Sequence, residues 1–267
     1  MAFVKFKDIC GDLFIPAPHK NNKAAILWLP GLPNKPSVED MGQPLADLGF
    51  TILQLRYPGN WESKGTFGPS TSLEGAIQGL ELLASGESCD QLEKKDVQWN
   101  IDRIFIAGNS YGGAIALSAL ANTSLAEGAV CFCPLLEPHL QNVHKNEEDL
   151  HSLYSFITKE HSADYRGFNE QEWGSFMDGN HQANPSQYIE QLKDEPILFI
   201  HGASDTSILP HHTIDFFHKL TEAGSCAAEL KIVEGKGHGN GLRKATTEIW
   251  TEWLFNNHGI IKEQPFE

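Results

Sequence analysis

The sequence lacks the features that mark several large classes of protein. No apolar run approaches the roughly 18 residues that a membrane-spanning helix needs. Residues 1–8 alternate like a strand and lack the apolar centre of a signal peptide. Five cysteines, an odd number in 267 residues, disfavour a disulfide framework. We therefore expect a protein of a reducing compartment, the cytoplasm, without membrane attachment.

Positive charge and metal-ligand motifs are also scarce. The chain has 20 Lys and Arg against 35 Asp and Glu, a formal net charge of −15, which disfavours a nucleic-acid partner. No H-E-x-x-H motif occurs, and the side chains of adjacent His211 and His212 would diverge on a helix. Cys131 and Cys133 lie in an apolar run without a second cysteine pair, so packing in a strand is the favoured interpretation. We expect neither a metal nor another cofactor.

Short apolar runs alternate with helical patterns along the chain, as in an α/β fold with a mostly parallel sheet and helices on both faces. Residues 24–29, 51–55 and 197–200 are typical of buried strands. Residues 135–185 differ, because they are polar and aromatic without a strand pattern. We predict a single domain, 1–267, in which 135–185 form a helical lid or cap insertion.

The segment Gly108-Asn109-Ser110-Tyr111-Gly112 is a G-x-S-x-G motif placed where a buried strand turns into a helix. A serine at such a turn adopts a strained backbone conformation, and the flanking glycines leave room for the chain to fold back. We interpret Ser110 as a nucleophile held above the sheet at the positive end of the helix. The alternative is an ordinary strand–helix connection with an incidental serine.

A serine nucleophile needs a base and an acid that orients the base. Asp205 follows the strand at 197–200, although an aspartate there could also serve only as a turn or cap residue. His238 lies in a glycine-rich loop beyond the last predicted strand, which singles it out among 12 histidines. Because open α/β sheets gather their ligand sites at the carboxyl ends of the strands, we expect Ser110, Asp205 and His238 to converge.

An acyl-transfer site also needs donors for the oxyanion and a pocket for the substrate. We predict that the N–H groups of Tyr111 and Leu32 supply the donors, the second from the turn that follows the strand at 24–29. The alternative is that this segment forms only a connecting turn and has no part in catalysis. Trp173 and Phe176, in the insertion, are the predicted substrate contacts, although aromatics in an irregular segment more often serve only packing.

With these residues in place, the chain resembles the α/β-hydrolase superfamily, and within it the catalytic domain of prolyl-oligopeptidase-type peptidases and related acyl hydrolases. The motifs that carry the resemblance are residues 108–113, 184–186, 195–205 and 237–239, with a similar loop at 56–65. It implies an α/β-hydrolase fold with a nucleophile at Ser110, an acid at Asp205 and a base at His238. Family members usually have His-Gly where this chain has Pro30-Gly31, and 267 residues leave no room for a β-propeller.

The leading hypothesis is a serine hydrolase that cleaves a carboxylic ester, thioester or small amide through an acyl-enzyme on Ser110. Its substrate would be a small molecule or short peptide with an acyl group. The same three residues would serve an acyltransferase or an aminopeptidase-like enzyme. A non-catalytic binding protein is a further possibility, since a fold does not dictate a function.

Overall fold

The apolar runs form the strands of a twisted sheet whose two faces are both covered. The structure is a computed structural model, and it describes residues 1–36, 41–141 and 149–257. The strands in these ranges are β1 (Ala2–Phe6), β2 (Ile9–Phe14), β3 (Ala24–Leu29), β4 (Thr51–Arg56), β5 (Glu87–Asp90), β6 (Lys95–Gln98), β7 (Arg103–Asn109), β8 (Ala129–Phe132), β9 (Ile197–Gly202) and β10 (Ala228–Val233).

The helices connect the strands and lie on both faces of the sheet. In the same ranges they are α1 (Gly42–Asp47), α2 (Pro69–Ser85), α3 (Tyr111–Ala121), α4 (His151–Glu160), α5 (Glu170–Met177), α6 (Ile189–Leu192), α7 (Pro210–Glu222), α8 (Asn240–Ala245) and α9 (Thr247–Asn257). Short 3-10 turns span Pro18–Lys20, Pro138–Leu140 and Pro185–Tyr188. Among the helices of the described ranges, none combines the length and the apolar character that crossing a membrane would require.

Eight of the strands that the structure describes form one sheet in the order β1-β2-β4-β3-β7-β8-β9-β10. β1 pairs with β2, and β2 with β4, in antiparallel fashion, whereas every pair from β4 to β10 is parallel. The parallel strands therefore end at one common edge. The predicted mostly parallel sheet is confirmed. The loops that hold Ser110, Asp205 and His238 follow β7, β9 and β10 at this edge.

Strand β3 shows why both faces of the central sheet are apolar. Successive side chains of a strand point to opposite faces. Ala25, Leu27 and Leu29 accordingly join the core that α2, α3 and α7 cover, and the alternate residues join the core on the face of α1 and α9. All six residues of β3 are buried. A strand buried on both faces is apolar throughout, and this is the pattern that the sequence shows.

Two details differ from the sequence-based expectation. Helix α2 begins at Pro69, earlier than the expected start near residue 72, because proline fits the first turn of a helix. It ends before Gly86, whose φ of +73° is suited to glycine. The β5–β6 hairpin was missed, since its residues are polar and half-exposed and form a separate two-stranded sheet.

The segment 135–185 lies between β8 and β9, and its described residues alternate short helices with turns. It holds α4 and α5 and leads into the 3-10 turn Pro185–Tyr188. Part of it, 142–148, falls outside the described residues. Its helical character agrees with the prediction, while its role as a lid stays a prediction.

Candidate active site

Ser110 occupies the sharp turn between β7 and α3. Its φ of +56° and ψ of −121° lie in a region that residues with a side chain seldom adopt. The backbone N–H of Ser110 bonds to the Phe132 carbonyl at 2.9 Å, and its own carbonyl accepts from Leu135 at 3.0 Å. Neighbouring strand ends thus hold the strained residue in place, and strain of this kind clusters at functional sites.

The two glycines of the G-x-S-x-G motif are required by close backbone approaches. A Cβ on Gly108 would lie 2.2 Å from the Gly112 carbonyl oxygen, and one on Gly112 would lie 2.3 Å from the Leu29 carbonyl oxygen. Neither position accommodates even a methyl group without a shift of backbone. The motif therefore lets α3 start directly against the ends of β3 and β7.

Asp205 and His238 form a hydrogen-bonded pair at the same edge of the sheet. Nδ1 of His238 donates to Oδ2 of Asp205 at 2.7 Å, although 33 residues separate them in sequence. The Asp205 side chain is fully buried, whereas 24% of the His238 side chain is exposed. Because Nδ1 carries the proton, Nε2 of the neutral imidazole keeps its lone pair.

The surroundings of Asp205 favour its ionised form. Oδ1 accepts the N–H groups of Ser207 at 2.9 Å and Ile208 at 3.1 Å. Burial opposes the charge, but hydrogen bonds from His201 and His238 outweigh it, and together they lower the pKa of Asp205 far below its ordinary value. A permanently ionised acid is what an imidazole partner needs in order to become protonated during a reaction.

His201 and Cys133 complete this buried site. The sequence suggested no role for His201 and only strand packing for Cys133, which instead lies just after β8. Nε2 of His201 donates to the Ile208 carbonyl at 2.8 Å and lies 3.2 Å from Oδ2 of Asp205, while its Nδ1 pairs with the Thr213 hydroxyl at 2.8 Å. The Cys133 thiol hydrogen-bonds to Asp205, and burial holds its pKa well above the ordinary range. Their positions could have indicated a role in the site, because Cys133 directly follows β8 and His201 lies near the end of β9.

Cys133, His201 and Asp205 are also the residues that could hold a metal ion. Their ligand atoms all lie within 4.8 Å of one another, and the described residues contain no other group of this kind. A metal at Nε2 of His201 would have to displace the proton that this atom donates to Ile208. The hydrogen bonds explain the cluster without a metal.

Ser110 and His238 line the same cleft, which has a volume of about 470 Å³. Its walls are the turn after β3 and the start of α8. The lining residues are Trp28, Pro30, Gly31, Leu32, Pro33, Asn34, Lys35, Asn109, Ser110, His238, Gly239, Asn240 and Arg243. Within the described ranges no hydrogen bond joins the Ser110 hydroxyl to His238, and such bonds are often long before substrate binds.

Both residues that carry the predicted oxyanion donors lie close to Ser110. The Tyr111 N–H is the first of α3 and has no carbonyl of a preceding helical turn to bond. Leu32 lines the cleft, and a Cβ on the preceding Gly31 would lie 3.1 Å from the Ser110 Cβ. The turn after β3 therefore passes directly against the serine, which is the neighbourhood that an oxyanion donor requires.

Trp173 and Phe176 do not line this cleft. Their side chains are 3% and 0% exposed, and both pack against the ring of Tyr111, at centroid distances of 6.1 and 5.6 Å. They belong to a buried aromatic cluster that packs against Tyr111, the residue after Ser110. The prediction that they contact substrate therefore finds no support in their positions, because a helical aromatic stripe serves the core and a binding surface equally well.

The fold and the three converging loops define the chain as an α/β-hydrolase. Residues 41–258, more than half of the sequence, match the Prolyl oligopeptidase family, and the chain belongs to that family. None of the curated proteins compared with it matches significantly in sequence.

Solved structures of peptidases and esterases share the fold. Pyrococcus horikoshii acylaminoacyl peptidase is 19% identical with a TM-score of 0.64, and the match covers 100% of this chain but 43% of the peptidase. Thermogutta terrifontis esterase 2 is 19% identical with a TM-score of 0.64, over 98% of this chain and 97% of the esterase. Est1E from Butyrivibrio proteoclasticus, solved with ferulic acid bound, is 15% identical with a TM-score of 0.67, over 96% and 98%. The chain thus spans about two fifths of the length of that peptidase.

Proposed function

We propose that the protein is a serine hydrolase that cleaves carboxylic esters, thioesters or small amides through an acyl-enzyme on Ser110. One observation carries the proposal. The 2.7 Å bond between His238 and Asp205 leaves Nε2 of His238 as the acceptor, in a cleft that Ser110 also lines. This arrangement supports Ser110 as the nucleophile, His238 as the base and Asp205 as the orienting acid.

In the proposed reaction the Ser110 hydroxyl oxygen attacks the acyl carbon while Nε2 of His238 takes the hydroxyl proton. The tetrahedral intermediate collapses, the bond to the leaving group breaks, and His238 returns the proton to that group. Water then attacks the acyl-enzyme with His238 again as the base. Release of the acid regenerates the serine. Asp205 stays ionised throughout and stabilises the imidazolium.

The oxyanion of each intermediate would accept hydrogen bonds from the N–H groups of Tyr111 and Leu32. Both are backbone groups on fixed elements, so they need little reorganisation during the reaction. The Tyr111 N–H also lies at the positive end of α3, where a developing negative charge is favoured.

Esters are the substrates that we favour. Two of the solved structures that share the fold are esterases, one of them with ferulic acid bound, which supports ester substrates. The family and the acylaminoacyl peptidase support small amides as the second candidate. Five free cysteines, three of them buried, support our proposal that the protein works in a reducing compartment such as the cytoplasm.

The decisive experiment compares wild type with Ser110→Ala on p-nitrophenyl acetate and on aminoacyl p-nitroanilides. We expect the variant to lose activity by about 10⁴-fold or more. Ser204→Ala, at an exposed serine in the acid loop, is the matched control and should retain full activity. Equal rates for wild type and Ser110→Ala would refute the proposal.

Two further measurements separate the alternatives. A fluorophosphonate probe should label wild type and not Ser110→Ala, whereas a non-catalytic binding protein would not be labelled in either form. Adding alcohol, amine or thiol acceptors and analysing the products distinguishes hydrolysis from acyl transfer. Dominant transfer to an acceptor would assign the same three residues to an acyltransferase.

A further inference from the structure

The turn after β3 is held in place by hydrogen bonds that meet at Asn34. Its side-chain Nδ2 donates to the Gly31 carbonyl at 3.1 Å. Its backbone N–H donates to the Tyr165 hydroxyl at 2.6 Å, and its carbonyl accepts the Trp61 indole N–H at 3.2 Å. Three bonds of this one residue therefore tie the turn to itself and to two other segments.

The bond to Gly31 sets the direction of the Leu32 N–H. The Gly31–Leu32 peptide is trans. In a trans peptide the carbonyl and the N–H lie in one plane and point in opposite directions. Because the Gly31 carbonyl points toward the Asn34 side chain, the Leu32 N–H points away from that side chain. The same bond therefore keeps this N–H from turning toward the interior of its own loop.

Tyr165 comes from the insertion 135–185, and the backbone around it is firmly attached. Arg166 N–H bonds to the Gly59 carbonyl at 2.9 Å, and the Phe67 N–H bonds to the Arg166 carbonyl at 2.7 Å. The Arg166 guanidinium donates to the Trp61 carbonyl at 2.7 Å and to the Ser63 carbonyl. The segment around Tyr165 thus forms one unit with the loop that follows β4.

The Tyr165 hydroxyl is suited to holding Asn34. The side chain is buried with 3% exposure, and its ring packs edge-on against Phe67 at 4.8 Å between centroids. Burial raises the pKa of Tyr165 above its ordinary value, so the hydroxyl keeps its proton. The oxygen accepts from the Asn34 N–H, and the proton is directed to the Asn34 carbonyl at 3.4 Å.

We infer that Asn34 is a positioning residue for the oxyanion donor at Leu32, and that the insertion holds Asn34 through Tyr165. The inference rests on the proposed function, because an oxyanion forms only if Ser110 attacks an acyl group. It gives the insertion a part in catalysis that does not depend on its covering the cleft. Tyr165 lies in the core and acts only through Asn34.

Two substitutions test the inference, each judged by kcat and KM for p-nitrophenyl acetate. Asn34→Asp keeps the backbone bonds but replaces the donor to the Gly31 carbonyl by an acceptor that repels it. Tyr165→Phe removes only the hydroxyl. We expect Asn34→Asp to lower kcat by about 10- to 100-fold with KM changed by less than about threefold, since oxyanion contacts form in the transition state. Tyr165→Phe should show the same split with a smaller loss.

Matched controls exclude a general effect on folding. Tyr154→Phe removes the hydroxyl of a second tyrosine of the insertion, which is half-buried and donates to the Phe168 carbonyl at 3.3 Å, and should keep the wild-type kcat. The pH profile of kcat/KM should keep the wild-type midpoint in both test variants, because the His238–Asp205 pair is untouched. Should Asn34→Asp not fold, the isosteric Tyr165→Phe still decides the question.

Other results would overturn the inference. Wild-type kcat in folded Asn34→Asp and Tyr165→Phe, with activity that still requires Ser110, would refute the positioning role and leave the proposed function intact. A shifted pH midpoint, or a rise in KM alone, would equally refute it, because the defect would then lie in the base or in binding. If wild type hydrolyses no faster than Ser110→Ala, the proposed function fails and this inference fails with it.

Discussion

Two imidazoles contact Oδ2 of Asp205: Nδ1 of His238 lies at 2.7 Å and Nε2 of His201 at 3.2 Å. One imidazole faces the cleft, and the other is fully buried and bonded to Thr213. The carboxylate therefore joins a solvent-accessible base to the rigid interior. Its charge and its position depend on this arrangement.

Asp205→Asn should abolish most of the activity without unfolding the protein. Asparagine can still accept the N–H groups of Ser207 and Ile208, but it favours the wrong tautomer of His238. Loss of an acid in this role costs about 10⁴-fold in kcat. Steady-state kinetics on a p-nitrophenyl ester, with circular dichroism to verify folding, provide the measurement. A loss of less than tenfold would show that Asp205 does not orient the base.

The lowered pKa of Asp205 predicts a definite pH dependence of stability. A group whose folded-state pKa is depressed stabilises the fold above its unfolded pKa, and this contribution is lost as the pH falls toward the folded value. The unfolded value is near 3.8. The part of the difference in free energy of unfolding between wild type and Asp205→Asn that comes from this carboxylate should therefore shrink as the pH falls below about 4.

Urea unfolding at several pH values measures this difference. Asp215→Asn, at an exposed aspartate on α7, is the control and should show no comparable change. A difference that grows as the pH falls below about 4 would contradict the assignment of Asp205 as an ionised, stabilised acid.

Substitution by alanine should lower the stability of the protein at Gly112, in the G-x-S-x-G motif, and raise it at Gly174, in α5. In Gly112→Ala the new Cβ would meet the Leu29 carbonyl oxygen at 2.3 Å, so overpacking should cost about 1–3 kcal/mol of stability and displace Ser110. In Gly174→Ala the Cβ would meet nothing within 4 Å, and the helix should gain up to about 1 kcal/mol. Urea unfolding of both variants provides the comparison, and equal stabilities would argue against the tight turn.

Trp173→Ala and Phe176→Ala should primarily destabilise the protein. Both side chains are almost completely buried against Tyr111, and removing a buried aromatic costs about 3–5 kcal/mol. Phe156→Ala on α4 is the control, because that ring is 45% exposed and should cost little. If folded Trp173→Ala instead changes the preference among esters of graded acyl length at unchanged stability, the result would support the prediction of substrate contact.

The positions of Ser110, Asp205 and His238 could be predicted because each follows a recognisable strand. Parallel strands end at one edge, so residues distant in sequence meet there. Sequence reasoning missed His201 and Asn34 for a different reason. Their roles arise from hydrogen bonds to partners such as Thr213 and Tyr165, and neither strand periodicity nor turn composition specifies those partners.

The α/β alternation, the strained serine turn and the loops that hold Asp205 and His238 can all be predicted from the amino-acid sequence. Local rules suffice for these features, since apolar periodicity and the steric freedom of glycine act over a few residues. The burial of Trp173 and Phe176 in the core, and the bond from Asn34 to Tyr165, become visible only in the folded chain. Which face of a helix or insertion is buried depends on what packs against it, and that is a property of the whole folded chain.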